Sequence, residues 1–211
     1  MNKNSMIAAV GGLLVGILLG YTIGMSKGME AARAMIRDAG PLAAAPAGLP
    51  PGLPPGMPPG GAPAPMVDMG AAQQRIDMNL RIVAKDPKNL GAWVMLGNDY
   101  FDTRQFQRSI DAYGEALKLQ PNNPDVLTDQ GVMFEQTANY DKALANFEQA
   151  QRVAPTHVQS IYNIGIVYMQ HKKDDRKALA AWKRVVELAP TSPQASDARR
   201  FLVELEARGV K

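Results

Sequence analysis

Residues 92–121 read AWVMLGNDYFDTRQFQRSIDAYGEALKLQP. Small residues at Gly97 and Ala116 remove side chains where two helices must approach closely, and Trp93, Tyr100 and Tyr113 supply bulk between them. The stretch ends at Pro121, which lacks a backbone donor and clashes with the preceding helical turn.

The same arrangement recurs downstream. Pro87, Pro121, Pro155 and Pro190 are separated by 34, 34 and 35 residues. A second unit carries Leu127, Gln130, Gly131, Phe134, Ala143, Phe147 and Ala150 before Pro155; a third carries Ile161, Ile164, Gly165, Tyr168, Ala178, Trp182 and Val185 before Pro190. A fixed period in this range marks a stacked architecture in which each unit buries its apolar face against the next. The third unit holds one extra residue, placed by the pattern in its HKKDDRK turn, where insertion is tolerated.

These residues and their spacing resemble the tetratricopeptide repeat family, in which each unit is a pair of antiparallel helices. The resemblance implies an all-α helical solenoid of three repeats, 90–123, 124–157 and 158–192, within a domain of residues 67–211. Ends of a solenoid need covers. Ile76, Leu80 and Val83 form an i, i+4, i+7 stripe before the first unit, and Ala198, Phe201, Leu202 and Leu205 form another in a capping helix over 193–208.

The chain before residue 67 has a different character. Residues 6–25, MIAAVGGLLVGILLGYTIGM, form 20 positions without a charge, enough at about 1.5 Å per residue to cross a bilayer of roughly 30 Å. The pattern predicts a single-pass membrane anchor within residues 1–39. Gly12, Gly16, Gly20 and Gly24 recur every four residues and would let a second helix pack closely, from another copy of the chain or from another membrane protein. Lys3 on a short tail argues for export of the chain beyond the span; Lys27, Arg33 and Arg37 argue the opposite. Export is the reading adopted, with the anchor in the inner (cytoplasmic) membrane and the repeats in the periplasm. Residues 40–66 form a linker that holds 10 of the 16 prolines, between positions 41 and 65, and includes GLPPGLPPGMPPGG at 48–61. Such a linker reaches roughly 80 Å if stiff and about 30 Å if coil-like. Its P-x-x-P phrases also suit proline-reading domains, although basic flanking residues are missing.

Composition excludes several chemistries. There is no cysteine, hence no disulfide, thiolate nucleophile or cysteine metal site. The net charge is +3, but from Val67 onward 19 basic residues face 18 acidic ones, no footprint for nucleic acid. His157 and His171, the two histidines, stand in no spacing that pairs metal ligands or orients a nucleophile, and both read as solvated surface residues. No catalytic residue, metal or cofactor is expected.

The resemblance implies instead a protein or peptide partner in the concave groove, which the family lines with the first helix of each unit. The matching positions are Val94, Asn98, Phe101 and Asp102; Thr128, Asp129, Val132 and Glu135; and Tyr162, Asn163, Ile166 and Met169. Their i, i+4, i+7 spacing puts each set on one helical face. Relatives that grip a terminal carboxylate use Lys, Asn, Asn, Lys and Arg; here only Asn98 matches, with Val94, Asp129, Gln159 and Asn163 elsewhere. Phe101, Tyr162 and Met169 are the expected apolar anchors, and Asp102, Asp129 and Glu135 favour a neutral or basic polypeptide. The architecture resembles membrane-anchored bacterial factors of cytochrome c maturation and envelope assembly. An alternative is an oligomeric structural component that associates through its anchor and solenoid faces.

Overall fold

The computed structural model describes Glu30 and residues 68–210. The anchor glycines Gly12, Gly16, Gly20 and Gly24 and the 40–66 linker lie outside the described residues. No helix among the described residues is long and apolar enough to cross a membrane.

The described chain forms eight α-helices and no strand. They are α1 (Met69–Lys85), α2 (Leu90–Asp102), α3 (Phe106–Leu119), α4 (Pro124–Gln136), α5 (Tyr140–Val153), α6 (Val158–Val167), α7 (Asp175–Leu188) and α8 (Pro193–Ala207). A π-helical turn, Tyr168–Lys172, extends α6.

Each proline turn sets the start of the next helix through its second following residue. Asn89 accepts from the Ala92 N–H at 3.0 Å, Asn123 from Asp125 and Val126, and Ser192 from Ala195, so these side chains satisfy donors left free at a helix start. His157 occupies the same place before α6. Its Nδ1 accepts from the Ser160 N–H at 3.3 Å.

Within units, helices pack around a ring that lies against a glycine. A Cβ at Gly131 would come within 2.8 Å of Phe147 Cδ1, and one at Gly97 or Gly165 would collide with Tyr113 or Trp182. The buried core runs continuously from Ile76, Leu80 and Val83 on α1 to Val167 on α6, and a second cluster joins α6, α7 and α8. Ala198 and Leu205 are fully buried there, and Phe201 stacks on Trp182 at 4.4 Å between centroids. Both terminal helices cover the stack. First helices also pack on one another, α4 on α6 and α6 on α8, and so line the inner side of the curve.

The extra residue of the third unit is taken up in the helix end, not in the exposed turn. In units one and two the closing bond runs five residues back, Gln105 N–H to Tyr100 O and Asn139 N–H to Phe134 O, both 2.7 Å. In unit three it runs six, Asp174 N–H to Tyr168 O at 3.0 Å. The residue just before each of these donors is left-handed in all three units (Arg104, Ala138 and Lys173, φ 57–59°). The insertion therefore widens the last turn of α6 into the π form.

Candidate peptide-binding groove

The twelve groove positions divide by exposure. Asn98, Asp102 and Asp129 are exposed, and Val94, Phe101, Glu135, Ile166 and Met169 are partly buried. Thr128, Val132, Tyr162 and Asn163 are buried. The four apolar groups that remain accessible come from α2, α6 and the π-turn. Val132 from α4 lies between them at the limit of burial, 9% exposed.

Tyr162 is therefore not a surface anchor. It retains 8% exposure and belongs to the core shared by α6, α7 and α8. Its phenol is pushed up to about 12 by burial and by the nearby Asp197, against Arg200, so residues of α8 face it. Asn163 is fully buried, and its Oδ1 accepts from Gln159 Nε2 at 3.1 Å. Gln159 in turn accepts from Gln194 of α8 at 2.9 Å. The physical reason is common to these contacts: α8 packs on α6 where a fourth unit would begin, and closes that end of the groove.

Asn98 remains a polar group of the open surface. The Tyr113 hydroxyl donates to its Oδ1 at 2.6 Å, which leaves the amide nitrogen as the group offered to a ligand. Phe101 packs against Phe106, with 6.5 Å between ring centroids. Asp129 keeps an edge open to water; crowding by the surrounding helices, with the charge of Asp125, raises its carboxyl to about 6, against a lowering by His157. Asp102 is raised as well, first by desolvation and then by Asp99.

Neither histidine is a solvated surface residue. His157 has an 18% exposed side chain whose Nδ1 caps α6, so Nε2 carries the proton and faces Asp125 Oδ1 at 3.1 Å. His171 stands where the first two units place Thr103 and Thr137, whose hydroxyls donate to carbonyls of their own helices. In unit three the imidazole turns outward across the unit boundary instead. It stacks on Tyr140 at 4.0 Å and brings Nε2 to 3.3 Å from Glu135 Oε1. Burial and Lys173 lower its pKa, so it is neutral at pH 7.

Glu135 is the most confined acid of the groove. Its side chain is 9% exposed, and Oε2 has no hydrogen-bond partner. Burial alone raises its carboxyl to about 7. The positions matching it in units one and three hold Phe101 and Met169. Among the described residues no three His, Asp or Glu side chains converge as metal ligands would. Two open depressions lie away from the groove, one beside Met78 and Ile82 on α1 and one between Lys172, Arg176 and Val210.

Comparison with known proteins agrees with this geometry. The sequence model described as tetratricopeptide repeat matches residues 94–157 and 135–193. A small glutamine-rich tetratricopeptide repeat-containing protein 2 of Mycosarcoma maydis is 25% identical over 96 residues, 46% of this chain and 27% of that protein. The photosystem I assembly protein Ycf3 of Acaryochloris marina is 27% identical over 105 residues, covering 41% of this chain and 62% of its own. The chain thus spans less than two thirds of these curated relatives. Among solved structures, MamA superposes with a TM-score of 0.56 at 16% identity, over 66% of this chain and 91% of that one, a likeness of fold alone. Helix pairs on a 34-residue period, ring-on-glycine packing and the family match converge: residues 94–193 of this chain are tetratricopeptide repeats.

Proposed function

We propose that the protein is a membrane-tethered scaffold or assembly chaperone that holds a polypeptide client in the groove of its repeat domain. One observation carries the reading. Val94 and Phe101 on α2, and Ile166 and Met169 on α6 and its π-turn, stay partly accessible on the first helices of units one and three, beside exposed Asn98 and Asp129. Apolar groups in an open groove suit a partner better than solvent. A relative named for photosystem I assembly adds support by likeness. Tethering rests on the uncharged 6–25 segment and the proline-rich linker, which together would hold the domain near the membrane, on its periplasmic side, at raised effective concentration. Cytochrome c maturation is one envelope process such a tether would suit.

The test is site-specific photo-crosslinking in the host. A crosslinker at Asn98 or Ile166 should capture a polypeptide that one at exposed Glu148 on α5 does not. Capture from Glu148 alone would place the client elsewhere.

A second reading, a self-associating structural component, draws on apolar groups at both ends of the stack: Met78 on α1 is 55% exposed and Val203 on α8 67%. Molar mass measured in detergent separates the two, because a monomer there leaves nothing for this reading.

A further inference from the structure

The groove carries acids that no lysine or arginine of the described residues pairs with. Arg75 is committed to Asp99 at 2.7 Å and His157 to Asp125, while Lys172 pairs with Asp141 on the outer side. Among the described residues no lysine or arginine lies within ion-pair distance of Asp102, Asp129 or Glu135. Exposed acids are common and prove nothing alone. Glu135 is different, because nine-tenths of its side chain is buried and one oxygen has no partner. A buried polar atom left unpaired costs stability, and apolar residues at the matching positions of the other two units serve the fold without that cost. The Tyr100 hydroxyl and Asn163 Nδ2 are also buried without a partner, but Glu135 alone of the three is an acid, for which the missing partner is a cation.

Resting on the groove reading above, we infer that Glu135 is the seat for a cationic side chain, lysine or arginine, of an extended client segment whose apolar residues lie on Ile166 and Met169. The geometry selects a cation over other occupants. Oε1 already stands 3.3 Å from Nε2 of an imidazole whose pKa burial lowers, so the missing component is a positive donor at Oε2. A metal ion would need further ligands that are not there among the described residues. The π-turn holds His171 on Tyr140 with Nε2 3.3 Å from Oε1, so Oε2 is the oxygen left for a client. Aliphatic stems of lysine and arginine suit the apolar surroundings.

The pairing needs the ionised carboxylate, which ties affinity to pH. Burial raises Glu135 to about 7, so its ionised fraction climbs about tenfold from pH 6 to pH 8. Asp129, raised to about 6, contributes about twofold over that window. His171 acts in the same direction, since its protonated form at low pH would compete with the client cation. Lys173 acts on His171, and Lys142 and Asp141 on α5 lie against Phe134 and Lys172. The change in affinity over this window is therefore assigned to Glu135, Asp129 and His171.

The experiment selects random dodecapeptides against the full chain in detergent micelles. Enriched peptides should share a lysine or arginine at a fixed spacing from apolar residues, and selection against Glu135→Gln should lose that basic position. The best peptide should bind about twentyfold more tightly at pH 8 than at pH 6, about tenfold from Glu135 and about twofold from Asp129, and Glu135→Gln should leave about twofold; Glu148→Gln should keep the full change. Replacing the peptide's basic residue by norleucine should cost about tenfold with wild-type protein, a readout independent of how the variant folds. Peptides that enrich without a basic residue, or that bind Glu135→Gln equally, overturn the assignment while the groove reading stands. Absence of enriched peptides overturns both.

Discussion

Gly131→Ala adds one methyl group where the structure has no room for it. The new Cβ would lie 2.8 and 3.0 Å from Cδ1 and Cζ of Phe147, and closer still to Cε1. Phe147 is fully buried between its neighbours, so the ring has nowhere to retreat. Two effects compete. Alanine is better than glycine in a helix by about 1 kcal/mol. Overpacking a tight core costs about 1–3 kcal/mol, and here the clash is with a locked aromatic ring, which puts the cost at the upper end. The net loss should be about 1–2 kcal/mol, a fall in melting temperature of about 3–8 °C for a domain of this size. Gly114→Ala provides the opposite sign within the same fold. A Cβ there meets only Gln130 Nε2 at 3.4 Å, so the helix preference should prevail and raise the midpoint. Urea unfolding followed by circular dichroism measures both. The clash also predicts coupling: Phe147→Ala alone should cost about 3–5 kcal/mol, and adding Gly131→Ala should then cost nothing more. If Gly131→Ala melts no lower than wild type, the ring-on-glycine account of the unit is wrong.

Three further outcomes concern the groove and its caps. Tyr162→Ala should lower stability by about 3 kcal/mol, because it empties a core position under α8, and equal melting of variant and wild type would put Tyr162 back on the surface. His157→Ala should cost about 1 kcal/mol through loss of the α6 cap while His157→Asn restores it, as judged by urea midpoints. Glu135→Gln should stabilise the free protein more at pH 8 than at pH 5. The folded carboxyl, at about 7, lies above its ordinary value, so its ionisation costs stability as pH rises from about 4.5 to 7, by at most about 3 kcal/mol. A gain independent of pH would mean that Glu135 ionises freely in the folded chain.

How much of the molecule is readable from residues alone depends on what fixes each feature. The period, the pairing of Gly97, Gly131 and Gly165 with a large ring, and the stripe on α1 are local or self-repeating, so they are legible in one chain. Burial of Tyr162 and Asn163 is not. Their helical phase is right for the groove, but phase does not say which neighbour covers a face, and α8 covers theirs. The role of His157 was available in principle: Asn89, Asn123 and Ser192 hold the same place two residues after each proline, and a capping histidine fits that series. Near-perfect charge balance hid the acidity of the groove, because most basic residues sit on the outer surface or are already paired.

The insertion in the third unit shows how a small irregularity can become a binding feature. Units one and two end their first helices with a threonine whose hydroxyl bonds back into its own helix, a closed arrangement that offers nothing to a neighbour. Lengthening the third unit by one residue would normally lengthen a loop. Here the left-handed residue that closes the first helix, two before the next helix begins, keeps its place at Lys173, so the added residue must enter the preceding turn, which opens into the π form. The side chain replacing the threonine is a histidine, and the widened turn carries it across the unit boundary to Tyr140 and Glu135. That contact engages one carboxylate oxygen and leaves the other alone. A threonine there could not reach Glu135, and a lysine would neutralise it outright. An imidazole kept neutral by burial stands beside the acid without cancelling its charge, which stays available to a client.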